Sequence, residues 1–128
     1  MRVARRHPTD ALRILGGGSL PLRPEYLFNE LPPDAAERHV DRCHGESGFA
    51  QYQLIFHRRP RRPLGRPSVL VLATPDDPLL PTSSIRSTAA RYDADLREFP
   101  GIGHDLMLDT RWREPLDVML GWLRERGL

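Results

Sequence analysis

The chain has 128 residues, 39% of them hydrophobic and 28% charged, with 13 prolines and a net charge of +2. That length suits one domain or part of one, since domains run roughly 100–200 residues, and so small a charge excess is weak grounds for a nucleic-acid partner. No apolar run approaches the ~18 residues of a spanning helix, and Met1 to Arg6 leads into no apolar leader core, so a soluble, cytoplasmic protein without membrane contact is expected.

All 19 Lys and Arg positions are Arg, which stays charged and forks onto carboxylates, so a surface laced with ion pairs is expected. Residues 1–30 show no clean period. Ala11 to Leu15 fits a short strand or one helical turn, and Gly16-Gly17-Gly18, Pro21 and Pro24 punctuate the rest into an irregular segment. Residues 31–66 read as a helical segment followed by an Arg/Pro linker. One helix is signalled over Ala35 to Cys43 behind Pro32-Pro33-Asp34. A second is signalled from about Glu46 to His57, where Phe49, Tyr52 and Phe56 share one face and ask for a partner surface. The single Cys43 excludes an intrachain disulfide. Its neighbour His44 does not make it a nucleophile, because sequence adjacency does not set thiol and imidazole in catalytic geometry. The run His57 to Pro63 reads as a solvated, Pro-stiffened linker, with a basic binding patch as the other reading.

The pattern changes over residues 67–128. Ser68 to Ala73 is an apolar, β-branched run suited to a strand buried on both faces of a parallel sheet. Thr74 to Pro78 ends it in a loop. A helix fits Thr82 to Tyr92, a short strand Asp95 to Phe99, and a closing helix Arg113 to Arg126. In that closing helix Leu116, Met119, Leu120 and Leu123 line one face, and Pro115 sits harmlessly in the first turn. Strand, helix, strand, helix argues for an α/β architecture with parallel strands and right-handed crossovers. In such sheets function collects in the loops beyond the strands' carboxyl ends, where Asp77 and His104 stand.

The stretch Val69-Leu70-Val71-Leu72-Ala73-Thr74-Pro75-Asp76-Asp77-Pro78-Leu79-Leu80-Pro81 resembles the penultimate strand and acid loop of the α/β-hydrolase family. Phe99-Pro100-Gly101-Ile102-Gly103-His104-Asp105 resembles that family's last strand and histidine loop. The resemblance covers residues 67–128, and residues 22–62 more loosely resemble the helical cap many members carry. It implies that Asp77 is the catalytic acid and His104 the catalytic base of an esterase- or lipase-like, serine-type reaction on small esters. Asp76 stands as the competing acid, with the register of Pro81 favouring Asp77. The chemistry needs both groups: a neutral imidazole accepts the serine proton, and a carboxylate fixes its tautomer and stabilises the imidazolium. Asp105 and Asp109 read as solvated or helix-start residues, Trp112 and Trp122 as core or cap-facing. His7, His39, His44 and His57 lack metal-ligand spacing, and neither metal nor cofactor is expected.

The family's nucleophile sits in Gly-x-Ser-x-Gly, ahead of acid and base. Ser19 has Pro21 where the second glycine belongs, and Ser47 has Gly48 one place early; the other serines have no such frame. The expectation is therefore a truncated hydrolase that keeps acid and base, lacks the nucleophile and is inactive alone. Its pair of parallel strands would keep an open inner edge that invites a protein partner or self-association. The alternative is a non-catalytic binding or complementing module that pairs with another chain.

Overall fold

Proline lacks the N–H that a helix's first turn leaves unpaired in any case, and an acidic side chain there meets the positive end of the helix dipole. Pro8 and Asp10 meet both conditions. In the computed structural model, which describes residues 5–45, 47–56 and 60–128, they open helix α1, Pro8–Leu15. This corrects the expectation of an irregular segment at Pro8–Leu15, where the sequence allowed a short strand or one helical turn over Ala11 to Leu15. The periodicity is disguised because Leu12 and Leu15 are 66% and 63% exposed, while the polar Asp10 is buried alongside Ile14. A one-turn helix α2, Pro24–Leu27, follows in the same segment.

Buried Asp10 is affordable only because it is paired. Its carboxylate accepts Arg23 Nε at 2.7 Å, Arg23 Nη2 at 3.3 Å and the Tyr26 hydroxyl. Those donors hold Asp10 down at about 2. Burial, aided by Asp10, pushes Tyr26 up to about 12. The cluster fastens α2 to α1. Helix α3 spans Pro33–Val40 and α4 spans Gly48–Phe56. Gly48 lies so close to the Gly17 and Gly18 backbone that a Cβ there would collide with it, which brings α4 onto the end of α1. Phe49 and Tyr52 stay 68% and 43% exposed, so the aromatic face expected to be covered faces outward at these two positions. His57, Arg58 and Arg59 of the basic run lie outside the described residues. Farther along it, Pro60 O accepts Arg91 Nη2 and the Tyr92 hydroxyl, and Arg62 Nε donates to Arg91 O.

Strand β1, Leu70–Ala73, pairs in parallel with β2, Asp95–Glu98, in the register Leu70↔Asp95 to Ala73↔Glu98. Helix α5, Thr82–Tyr92, connects them and packs on both strands. It ends where Asp93 turns left-handed (φ 54°), with Ala94 N–H bonding Ala89 O and Asp93 N–H bonding Ala90 O. Helix α6, Arg113–Arg124, packs on β1, and Trp122 Nε1 donates to Asp95 at 2.7 Å to tie α6 to β2. The α/β class is therefore present as helices with a two-stranded parallel sheet among the described residues. Double-faced burial of β1 is not: only Ala73 is buried and Leu70 to Leu72 are half-buried, and among the described residues β1 pairs with β2 alone. Trp112, expected as core or cap-facing, is 40% exposed. No described helix is long and apolar enough to cross a membrane.

Candidate functional site

The site begins where β1 ends. Pro78 has no N–H to offer, so the next two amides, Leu79 and Leu80, turn back and donate to Asp77 Oδ1 at 2.7 and 2.9 Å. This fixes the carboxylate and leaves Oδ2 pointing across the loop, where His104 Nδ1 lies 2.7 Å away. The Asp77 side chain is 5% exposed and that of His104 25%. The two residues singled out in the sequence are thus brought together. Asp76 faces elsewhere and its Oδ2 accepts the Gly101 amide at 3.0 Å.

Parallel pairing brings the second loop into reach. Phe99 N–H bonds Ala73 O at 2.8 Å, so β2 releases the chain beside the start of the acid loop. Gly101 then adopts φ +70°, a left-handed conformation that suits glycine. Ile102 is fully buried and anchors the loop. Gly103 passes so near Leu27 O that a Cβ would stand 3.3 Å from it.

Three further residues hold this loop, and sequence reading gave them no such role. Asp109 is 3% exposed, not solvated. Its Oδ2 accepts the Gly103 amide at 3.0 Å and its Oδ1 the Arg111 amide at 2.9 Å. Asn29 Oδ1 accepts the His104 amide at 3.3 Å, and Leu27 O accepts the Asp105 amide at 3.1 Å. Asp109 is five residues from His104 and could have been suspected as an amide acceptor for a glycine-rich loop. Asn29 is 75 positions away, and nothing local marks it.

The Asp77 hydrogen bond raises His104 above the ordinary imidazole value, against an opposing effect of burial. In the neutral ring, Nδ1–H donates to Asp77 and Nε2 keeps its lone pair. Among the described residues Nε2 makes no hydrogen bond. His104 borders two cavities. One, of about 570 Å³, lies between the N-terminal helical segment and Leu79–Leu80. The other, of about 270 Å³, runs along Val71 and Leu72 of β1 and Ile85 of α5 to Asp77. Neighbouring Asp105 is raised chiefly by burial, and the carboxylate of Asp77 raises it further. Among the described residues no group of three or more His, Cys, Asp or Glu is clustered as metal ligands. What the arrangement can do is move a proton at Nε2 and stabilise the resulting imidazolium. No protein-family model, curated protein or solved structure matches this chain.

Proposed function

We propose that this chain supplies the acid and base of a serine-type α/β-hydrolase reaction on small acyl esters, with the nucleophile arriving from a polypeptide outside these 128 residues. The observation that carries the reading is the 2.7 Å contact between Asp77 Oδ2 and His104 Nδ1, which leaves Nε2 as base. In this scheme Nε2 takes the serine proton as the hydroxyl oxygen attacks the ester carbonyl. It returns that proton to the departing alcohol, then activates water to release the acid. Asp77 stays ionised throughout. The serines of this chain lack the Gly-x-Ser-x-Gly frame, and loss of the serine in such a triad costs on the order of 10⁶ in kcat.

The purified chain should therefore hydrolyse p-nitrophenyl acetate no faster than His104→Ala at pH 7–8 and should resist a fluorophosphonate serine probe. Co-expression with a Gly-x-Ser-x-Gly polypeptide encoded beside it should restore turnover that His104→Ala abolishes. Labelling of the chain alone, lost in His104→Ala, would place a nucleophile within it and overturn the assignment.

One observation favours a second reading, a complementing module without chemistry of its own. Among the described residues β1 pairs only with β2, and the smaller cavity follows β1 with no β2 residue in its wall. An added strand at such an edge gains main-chain hydrogen bonds.

A further inference from the structure

The cavity of about 570 Å³ beside His104 falls in the usual size range for small-molecule sites. Its walls include Ile14, Leu20, Leu22, Leu27 and Leu79 together with His104 and Asp105. Its charges are unevenly compensated. Arg23 borders the cavity, but its guanidinium is already doubly bonded to Asp10 at 2.7 and 3.3 Å. His104 is matched by Asp77. Asp105 makes no side-chain ion pair among the described residues, and His44 is the other titratable imidazole in the wall. A second anion entering here meets the Asp105 carboxylate, while the Arg23 guanidinium already shares its charge with Asp10 through Nε and Nη2.

We infer that this cavity binds the apolar chain of an uncharged ester or alcohol and discriminates against the corresponding carboxylate through Asp105. The raised value of Asp105, caused chiefly by burial, agrees with a carboxylate that is poorly solvated and would tolerate a second one badly. Read with the proposed ester hydrolysis, the discrimination acquires a direction: neutral ester enters and the acid product is expelled. That consequence rests on the proposed function, whereas the binding preference does not.

The test reads binding without turnover. The full chain at pH 8 is titrated with 1-hexanol and with hexanoate while Tyr26, Leu27 and Leu79 resonances are followed by NMR. Hexanol should shift them saturably, with hexanoate at least five-fold weaker. Asp105→Asn should narrow that gap several-fold. Leu22→Trp, which fills the cavity from a half-buried wall position, should abolish hexanol binding. Equal affinity for hexanol and hexanoate in the unmodified chain overturns the inference, and no variant is needed to see it. So does a titration in which neither probe shifts those resonances, or a gap that Asp105→Asn leaves intact. Asp77→Asn, at a residue outside the cavity wall, separates the two proposals: loss of complemented turnover with hexanol binding retained locates the chemistry in the Asp77–His104 pair and the recognition in the cavity.

Discussion

Replacing Asp77 by Asn removes the pair's charge while sparing much of its scaffold. Oδ1 of the new amide can still accept Leu79 and Leu80 N–H, now bonded at 2.7 and 2.9 Å, so the acid loop should hold its shape. The position of Oδ2 becomes an NH₂ that donates where Asp77 accepted, and Nδ1 must present its lone pair instead. A hydrogen bond to a charged group is worth about 1.5–3 kcal/mol. For a chain of this size that loss lowers Tm by on the order of 5–10 °C. The pH dependence carries the diagnosis. His104 titrates above its ordinary value in the folded protein. Its contribution is therefore complete below about pH 6.5 and is lost as pH rises through the folded value. Thermal unfolding of the parent and Asp77→Asn at pH 5.5 and pH 9 should show a gap that is wide at pH 5.5 and narrower at pH 9. A gap equal at both pH values, or wider at pH 9, would refute the reasoning.

Other perturbations test the loop that delivers His104. Ile102→Ala empties a fully buried site and should cost about 2–5 kcal/mol in a urea titration. Gly101→Ala forces φ +70° on a residue with a Cβ, 3.2 Å from Arg111 Nη1, and should cost about 1–2 kcal/mol by thermal melting. Asn29→Ala leaves the half-buried His104 amide without its acceptor; the loss of about 1–3 kcal/mol should appear as faster hydrogen exchange at His104, and an unchanged rate would remove Asn29 from the site.

Much of the second half was legible because local and tertiary signals agree there. Thr82 to Tyr92 carries helix signals and forms a helix, bounded by Pro81 and the left-handed Asp93. The strands were placed within two residues of where they lie, since short apolar or alternating runs between turns leave few other choices. The first half misleads because its packing inverts the usual rule. In α1 the buried residues include Asp10, and two leucines face outward, so hydrophobic periodicity points the wrong way. Pro8 in the first turn and the Gly16–Gly17 stop were the usable signals. The approach of the Asp77 and His104 loops could be anticipated from two adjacent parallel strands. The supports at Leu27 and Asn29 could not, because they are backbone-directed contacts made across the chain and leave no pattern in composition or spacing.

The proposed chemistry needs His104 to present a free Nε2 while Asp77 holds Nδ1–H, and the ring nitrogens of the full chain report this directly. A long-range ¹H–¹⁵N NMR titration of His104 should show Nδ1 protonated throughout and Nε2 losing its proton above the ordinary imidazole value of 6.5. A neutral ring protonated on Nε2, or titration at or below 6.5, would contradict the assignment of His104 as a base poised by Asp77.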